Sequence, residues 1–438
     1  MLAASLASLD DLWRAVDELR AGRSTPPTSA FYESKLAKVW DRARGTVAYR
    51  NLGAYSPAAF AALPVTPRDA LKRRPWDYLA VGIDQAVKYY ETTGTSGTVT
   101  PTPRTIEDIV WNTVSVAEGW SELVGPGDRV LVLLPSDLVP VADLVVGVCE
   151  YRGVPHARAY PFATGITDWD RLIGVFRSFR PTVLFVAPGV AVQLTRLAKQ
   201  RGQLDDVRSS VRSLMLLGEV STAPMRDRLG SWWNARCYDA SYGSTETGTL
   251  ATSCVEGSLH LLTAANYFEL RTETTVTPLL DQAGSGSLVV TPLNLYARPL
   301  LRFDTGDRVV VGQGCPCGRA TPTVLVEGRT TDTITLRGAV LTPRAVEEVV
   351  YGVTTATGYL IEIDAAGDYG RLLLERDVDA DRSSEAAQAA AVQAATEQRW
   401  GVHWDSVLFV NALPITTKSG GSQKSWKRSN VQVVELVP

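Results

Sequence analysis

Three uninterrupted apolar runs, separated by segments of helical length, constrain the fold of this chain more than any other feature. The runs are VLVLL at 130–134, VLFV at 183–186 and LMLL at 214–217, the last preceded by Ser213. Strands that are apolar throughout are typical of a parallel sheet with helices on both faces, because neither face of such a sheet meets water. The sequence therefore predicts an α/β fold built on a parallel sheet.

The pattern changes after about residue 250. Short alternating segments such as YFELRTE and GSLVVTPL are typical of antiparallel strands. From about residue 332, strands and helices alternate again in a small α+β pattern. We therefore expect a large N-terminal domain at 1–330, with its antiparallel part at about 250–330, and a small mobile C-terminal domain at 331–438.

Two helix starts are predicted from Thr-Pro pairs. Threonine is a favoured N-cap, and proline is favoured at the first helical position because its missing N–H needs no partner there. We expect Thr66 and Thr342 to be caps, with Pro67 and Pro343 as the first helical residues.

Length and composition narrow the class of protein. A chain of 438 residues exceeds what one core usually spans, so two or more domains are expected. The net charge of -3 lacks the basic footprint of a nucleic-acid-binding protein. No apolar run approaches the length of a membrane span, and the first twenty residues form an amphipathic pattern unlike a signal peptide. Five cysteines do not suggest a disulfide framework, so we expect a cytoplasmic protein without nucleic-acid or membrane partners.

The stretch ETTGTSGTVTPTPR at 91–104 has the composition of an anion-binding loop but contains no lysine. Its glycines allow backbone N–H groups to approach an anion closely, and its hydroxyl groups add further donors. The phosphate-binding P-loop requires a Gly-Lys pair, so a P-loop kinase is disfavoured. A solvated, flexible loop is the alternative interpretation.

Two later segments contain carboxylates next to residues that could bind parts of a nucleotide. In YDASYGSTETG, the ring of Tyr242 could stack on a nucleobase, Thr245 could bind a phosphate oxygen, and Glu246 offers the hard oxygen ligand that Mg²⁺ prefers. In RFDTGDRVVV, we place Asp307 in a turn that enters a strand, where it could accept hydrogen bonds from sugar hydroxyls. The alternatives are a turn with a buried tyrosine and an ordinary surface hairpin.

Four residues offer metal ligands. Cys254 and His260 lie six residues apart, and Cys315 and Cys317 flank a proline. Three thiolates and an imidazole suit tetrahedral Zn²⁺, and four protein ligands would close the site to solvent, so its role would be structural. The alternative is a group of reduced cysteines without a ligand.

These segments, in this order, resemble the adenylate-forming (ANL) superfamily, and most closely its phenylacetate-CoA ligase branch. The resemblance extends from about residue 60 to the end of the chain. It depends on the motifs TTGTSG, GEVST, YGSTETG, RFDTGD, GRTTDTITLRG and GGSQKSWKR. Some members of this branch also carry zinc at a similar Cys/His set.

The resemblance implies a role for each matching residue. Glu246 would hold Mg²⁺, and Asp307 would bind the ribose hydroxyls with help from Arg329. The catalytic lysine would be Lys424, with Lys418 as the alternative, on a tail that rotates about Thr331–Asp332. The remaining ATP-binding residues would be Thr92, Thr93, Gly94, Thr95, Ser96 and Gly97 at the β- and γ-phosphates, and Gly218, Glu219, Tyr242 and Gly243 near the adenine.

The implied activity is ATP-dependent conversion of a carboxylic acid to an acyl-adenylate, with release of pyrophosphate, followed by acyl transfer to a thiol. An aromatic acid is expected, in a pocket that would include Trp120, Pro135, Phe162 and Ala240. CoA is the expected acceptor, and Gly338 matches a glycine that admits pantetheine. A carrier protein and a nitrogen nucleophile stay open as acceptors, as does a catalytically silent nucleotide-binding homologue. A homodimer is one candidate assembly.

The chain departs from the family pattern at three places. Thr98-Val99 stand where Lys-Pro usually follows the loop, Gln423 replaces the glycine before the lysine, and Ile415 replaces an arginine. These departures suggest a specialised enzyme of secondary metabolism.

Overall fold

The structure is a computed structural model, and it describes residues 6–92, 99–161, 167–219, 221–279, 283–329, 333–414 and 430–434. The α-helices in these residues are α1 Leu6–Ser24, α2 Ser29–Arg44, α3 Pro57–Ala62, α4 Arg68–Arg73, α5 Ile106–Gly119, α6 Val141–Arg152, α7 Trp169–Phe179, α8 Pro188–Gln200, α9 Leu204–Arg208, α10 Ala223–Trp233, α11 Pro343–Val353 and α12 Glu385–Trp400.

The strands follow the same chain order. They are β1 Lys88–Glu91, β2 Pro101–Arg104, β3 Val130–Leu133, β4 His156–Arg158, β5 Val183–Val186, β6 Ser213–Leu216, β7 Arg236–Asp239, β8 Ser241–Ser244, β9 Gly248–Ser253, β10 Leu259–Leu261, β11 Asn266–Arg271, β12 Val276–Pro278, β13 Gly284–Pro292, β14 Phe303–Gly312, β15 Thr323–Arg329, β16 Ile334–Leu336, β17 Ala339–Leu341, β18 Gly358–Ile363, β19 Gly370–Glu375, β20 Ser406–Val410 and β21 Val431–Val433.

The chain divides into two compact units. The first contains Met1–Ala157 and Asp239–Glu327, and the second contains Arg158–Tyr238 and Gly328–Pro438. The division between Glu327 and Gly328 lies close to the predicted domain boundary at 330. The boundary itself and the mobility of the tail stay predictions.

The first unit is built around an eight-stranded sheet with the order β12-β11-β13-β14-β15-β10-β9-β8. Its neighbours include antiparallel pairs such as β11 with β13 and β9 with β10, as the alternating sequence predicts. Trp40 of α2, Leu250 of β9 and Phe303 of β14 belong to one buried apolar cluster on this sheet. The sheet thereby fixes β8 and β14, the two strands that carry Tyr242 and Asp307.

The second unit contains the parallel pairing that the apolar runs predict. Strands β5 and β6 run parallel, with Val183 opposite Ser213, and all four residues of each strand are buried. The C-terminal part adds a four-stranded sheet with the order β20-β19-β18-β21. The predicted α/β class with additional antiparallel sheets is therefore confirmed.

One of the two predicted helix starts is confirmed, and the other is displaced. Thr342 accepts a hydrogen bond from the N–H of Ala345, and Pro343 begins α11. Helix α4 begins instead at Arg68, after Pro67 as the capping position. Thr66 forms a bridge to Phe303, and its hydroxyl donates to the carbonyl of Leu301, so pairing with the sheet takes the place of capping.

None of the described helices combines the length and apolar character that crossing a membrane requires.

Candidate active site

The hydroxyl-rich loop leaves and re-enters a short antiparallel hairpin. Strands β1 and β2 pair with Glu91 opposite Pro101. Beyond them, the N–H of Thr92 donates to the carbonyl of Thr100 at 3.1 Å, and the hydroxyl of Thr92 accepts from the N–H of Thr100 at 2.9 Å. Thr92 therefore lies at the closed base of the loop. The other predicted phosphate ligands, Thr93, Gly94, Thr95, Ser96 and Gly97, lie outside the described residues.

The YGSTETG motif folds as the tight hairpin between β8 and β9. Gly243 has a structural requirement for glycine, because a Cβ atom there would lie 2.3 Å from the carbonyl oxygen of Gly248. The register shifts between Tyr242 and Gly243, which interrupts the regular ladder. The hairpin directs Thr245 and Glu246 into its turn.

Tyr242 and Asp307 meet across the sheet. The Tyr242 hydroxyl donates to Oδ2 of Asp307 at 2.6 Å, and burial together with this carboxylate raises the pKa of Tyr242 well above its usual value. Tyr242 therefore stays protonated and can act as a permanent donor. We placed Asp307 in a turn before a strand, but it lies inside β14, beside a register shift opposite Leu288. Gly306, with φ of 74°, makes this irregularity sterically accessible.

Glu246 is buried and ionised. Its side chain is paired with Arg68, whose Nη2 lies 3.2 Å from Oε1, and only 2% of the residue is exposed. Burial alone would raise the pKa of Glu246, but the Arg68 guanidinium, together with hydrogen bonds from the residue's own N–H and from Ser244, outweighs burial, so the pKa is lowered. An ionised carboxylate is the form that binds Mg²⁺, so the residue fits its predicted role.

Two further buried arginines flank this carboxylate, and sequence reasoning gave neither of them a role. Nη2 of Arg104, at the end of β2, donates to the carbonyl oxygens of Thr245 at 2.5 Å and Glu246 at 3.2 Å. Arg298 is fully buried and donates to the Thr102 hydroxyl at 3.1 Å and to the carbonyl of Pro101. Burial, and then the neighbouring Arg104, lower the pKa of Arg298 to about 9. The available sequence signal for Arg104 was its position as the last residue of the hydroxyl-rich stretch at 91–104.

The other predicted nucleotide ligands belong to the second unit. Gly218 follows β6 with φ of 97°, Glu219 is half-buried beside it, and Arg329 ends β15. Their roles stay predictions. Lys418 and Lys424 lie outside the described residues, as do Thr331–Asp332.

The predicted acid-pocket residues that the structure describes are all buried. The Trp120 indole donates to the carbonyl of Ala240 at 2.8 Å, and both residues are fully buried. Pro135 is buried immediately after the apolar run that contains β3, and Phe162 lies outside the described residues. Trp120 therefore holds the backbone immediately before β8. Its role in binding substrate stays a prediction.

The four predicted metal ligands come together. The ligand atoms of Cys254, His260, Cys315 and Cys317 all lie within 4.8 Å of one another. Cys254 directly follows β9, His260 is in β10, and the other two cysteines lie in the turn after β14. Residues sixty positions apart in sequence thus form one cluster.

The geometry of this cluster fits zinc. Tetrahedral Zn–S bonds of about 2.3 Å place two sulfurs about 3.8 Å apart, and the sulfurs of Cys254 and Cys315 are separated by 3.8 Å. Nδ1 of His260 donates to the carbonyl of Thr321 at 2.8 Å, which leaves Nε2 directed toward Cys317 at 3.3 Å. Burial lowers the pKa of His260, which favours the neutral imidazole that binds metals.

Comparisons with known proteins find relatives that match about 70% of the chain in sequence. No family model matches the chain. A phenylacetate-coenzyme A ligase of Escherichia coli (strain K12) is 25% identical over 315 residues, which are 69% of this chain and 69% of that protein. A phenylacetate-coenzyme A ligase of Thermus thermophilus is 26% identical over 324 residues, covering 70% of this chain and 71% of the relative.

The fold also matches a solved structure over nearly its full length. The crystal structure of 2-hydroxyisobutyryl-CoA ligase in the postadenylation state, in complex with 2-HIB-AMP, has a TM-score of 0.72 and 19% sequence identity. The match covers 98% of this chain and 89% of that chain. Together, the sequence relatives and the shared fold confirm the resemblance that the motifs predict.

Proposed function

We propose, from the homology of this chain to the phenylacetate-coenzyme A ligases and its adenylate-forming fold, that it is an AMP-forming acid–CoA ligase. It converts a carboxylic acid and ATP to an acyl-adenylate and pyrophosphate. The thiol of CoA then attacks the acyl carbonyl and releases AMP. The observation that carries the proposal is the hydrogen bond between Tyr242 and Asp307, together with the contacts by which Arg104, at the end of β2, holds the turn of Glu246, in a homologue of such ligases.

The described residues supply distinct parts of the first half-reaction. The carboxylate of Asp307, held by Tyr242, accepts hydrogen bonds from the ribose hydroxyls and orients the nucleotide. Glu246 is the residue that would hold Mg²⁺, which would neutralise charge on the phosphates as pyrophosphate leaves. Thr245 and Thr92 offer hydroxyl donors to phosphate oxygens. The acid's own carboxylate is the nucleophile, so the protein needs to position the two substrates and balance charge.

The remaining predicted residues complete the proposal, and several of them lie outside the described part of the chain. Lys424, or alternatively Lys418, provides the mobile cation of the adenylation step, and the segment from Thr93 to Gly97 encloses the β- and γ-phosphates. Gly218, Glu219 and Arg329 line the adenine and ribose. An aromatic acid is the proposed substrate, in a pocket near Trp120, Pro135, Phe162 and Ala240. CoA is favoured over a carrier protein or a nitrogen nucleophile as the acceptor.

We also propose that Cys254, His260, Cys315 and Cys317 hold a structural zinc ion. The support is the agreement between the measured sulfur separation and tetrahedral coordination. Four protein ligands leave no position for substrate. The metal would therefore join the β9–β10 hairpin to the turn after β14 and take no part in the reaction.

The deciding experiment for the enzyme is acid-dependent exchange of labelled pyrophosphate into ATP. A panel of aryl, arylacetic and short aliphatic acids should give exchange with at least one aromatic acid, and the acyl-CoA should form when CoA is added. Absence of exchange with every acid, together with tight ATP binding, would support the silent nucleotide-binding homologue instead. Lys424→Ala should abolish exchange without changing thermal unfolding; if exchange survives, Lys418→Ala tests the alternative lysine.

A further inference from the structure

A small polar cavity lies in the first unit, between helix α1, helix α5 and the hairpin of β9 and β10. Its volume is about 30 Å³. One water molecule needs roughly 10–15 Å³ of such space, so the cavity has room for two or three waters or for one small ion. A nucleotide, CoA or an aromatic acid is far too large for it. The cavity is therefore distinct from the nucleotide and acid sites proposed above.

Three buried hydroxyl groups line this cavity, and none of them has a hydrogen-bond partner among the described residues. They belong to Ser115 of α5, Thr252 of β9 and Thr263 after β10, and each residue is at most 5% exposed. Gly119 leaves space for the Thr252 hydroxyl, because a Cβ atom at Gly119 would lie 2.3 Å from that oxygen. Buried polar atoms without a partner occur at other places too. These three, however, line one cavity from three different segments, as the ligands of a bound species do.

Both charged side chains that line the cavity are cationic. They are Arg23 of α1 and Arg319 in the turn before β15, and the described residues that line the cavity include no carboxylate. The nearby carboxylate of Glu122 is already paired with both arginines, at 3.4 Å from Nη2 of Arg23 and 2.7 Å from Nη2 of Arg319. The positive charges are therefore on the cavity wall, and the negative charge lies behind it.

The other charged groups around the cavity have partners of their own. Glu118 accepts hydrogen bonds from Arg20 at 3.1 Å and from Tyr151 at 3.4 Å. Arg152 donates to backbone carbonyls at the C-terminal end of α5 and beyond it. The ring of His260 also lines the cavity, but its Nδ1 is bonded to the carbonyl of Thr321. The wall therefore presents O–H and N–H donors, and an occupant that only accepts hydrogen bonds fits it better than water, which must also donate.

We infer that this cavity binds one small monovalent anion, such as chloride. The hydroxyls of Ser115, Thr252 and Thr263 donate to it, and the guanidinium groups of Arg23 and Arg319 supply the positive field. The anion joins α1 and α5 to the β9–β10 hairpin and so stabilises the first unit. It takes no part in acyl transfer, so the inference does not depend on the proposed function.

Crystals grown with bromide in place of chloride test occupancy directly, because bromide is located by its anomalous scattering. We expect an anomalous peak in the cavity, within hydrogen-bond distance of the Ser115 and Thr252 hydroxyls. Density for water alone, without an anomalous peak, would overturn the inference.

Thermal unfolding tests binding in solution. Chloride replaces gluconate at constant ionic strength, and the metal content of each sample is measured, because loss of metal would lower stability independently. We expect the thermal midpoint to rise by about 2–4 °C between about 1 mM and about 100 mM chloride and then to level off. Sulfate is too large for the cavity and should not reproduce this rise. An equal rise with sulfate would indicate a general salt effect and overturn the inference.

Variants connect the chloride effect to this cavity. Thr252→Val and Ser115→Ala each remove one hydroxyl with little change in shape, and each should reduce the chloride-dependent rise to about half or less. Thr396→Val is the control, because it removes a buried hydroxyl that is bonded within its own helix α12, and it should keep the full rise. An undiminished rise in both cavity variants would overturn the inference, as would a bromide peak without any chloride effect in solution, which indicates binding at crystal concentration only. If Thr252→Val does not fold, Ser115→Ala decides the question.

Discussion

The hydroxyl of Tyr242 donates a 2.6 Å hydrogen bond to the carboxylate of Asp307, joining β8 at the edge of the large sheet to β14 in its interior. The two residues are 65 positions apart in sequence, and the sheet brings them together. One carboxylate oxygen is thereby occupied by a fixed donor, and the carboxylate is oriented before any ligand arrives. Preorganisation of this kind reduces the cost of binding a sugar diol.

Removing the Tyr242 hydroxyl should weaken ATP binding. A hydrogen bond to a charged group contributes about 1.5–3 kcal/mol, so Tyr242→Phe should raise the KM for ATP by about tenfold or more, with a smaller effect on kcat. Initial rates of pyrophosphate exchange at varied ATP measure this. Tyr32→Phe is the matched control, because it removes a hydroxyl that donates to the backbone carbonyl of Thr263 in the same unit. An unchanged KM for Tyr242→Phe would contradict the ribose role of Asp307.

Removing the charge of Arg68 should move the acid limb of the pH–activity profile to higher pH. The Arg68 guanidinium holds the pKa of Glu246 below its usual value against the opposing effect of burial. In Arg68→Gln, burial acts without that compensation, so the pKa of Glu246 should rise and the carboxylate should protonate at a higher pH. Exchange rates between about pH 5 and pH 8 at fixed Mg²⁺ would show the loss on the acid side.

Two controls accompany the Arg68 experiment. Arg68→Lys retains the charge and should leave the acid limb close to its original position. Arg308→Gln removes one partner of an exposed pair with Glu327 and should have no effect on the profile. If Arg68→Gln lowers activity equally at all pH values, the arginine acts through packing and not through the ionisation of Glu246.

Substituting a cysteine of the Cys/His cluster should remove the bound metal. Protein purified without chelator should contain about one equivalent of zinc, and Cys315→Ser or Cys317→Ser should reduce this content and lower the thermal midpoint. Elemental analysis with a melting curve measures both quantities. Cys237→Ser removes a cysteine outside the cluster and should retain the metal. Wild-type protein with less than about a tenth of an equivalent would exclude the zinc site.

Much of the architecture could be predicted from periodicity, because burial leaves a direct record in the sequence. The apolar runs at 183–186 and 214–217 lie in adjacent parallel strands, since a strand buried on both faces is largely apolar. The clustering of Cys254 and His260 with Cys315 and Cys317 also followed from residue type and number. In both cases the residue types alone indicate what the fold must do with them, which is to bury the apolar runs and to bring the metal ligands together.

Features that depend on tertiary pairing could not be predicted in the same way. The Thr66-Pro67 pair has the pattern of a helix start, but Thr66 forms a β-bridge to Phe303. A pairing with a residue so far away in sequence cannot be inferred from a local pattern. Asp307 lies inside β14, at a place where the pairing with β13 shifts register opposite Leu288. The glycine-containing segment looks like a turn in the sequence, but it is an irregular part of the strand. The burial of Arg298 is the strongest case, because arginine is rarely buried and its partners on β2 are almost two hundred residues away.

Glu347 on α11 should make stability fall as the pH rises. Its carboxylate accepts a hydrogen bond from the N–H of Thr222, and burial raises its pKa from the usual 4.5 to about 7; the nearby Glu219 also raises it, and Arg344 opposes. The folded state therefore binds a proton more tightly than the unfolded state. The stability that this proton provides is fully present below about pH 4.5 and is lost as the pH rises to about 7.

Replacing Glu347 by glutamine should remove this loss. The amide oxygen still accepts from Thr222, but no charge has to be buried, so Glu347→Gln should be more stable than the wild type at about pH 8 by about 2–3 kcal/mol and nearly equal to it at about pH 4.5. Urea unfolding at several pH values measures the difference. Glu348→Gln, on the same helix, removes a carboxylate paired with Arg344 and Arg399 at the surface, and it should not reproduce the pH-dependent gain. A constant difference between Glu347→Gln and the wild type across the pH range would show that the pKa of Glu347 is the same in the folded and unfolded protein, and would contradict the prediction.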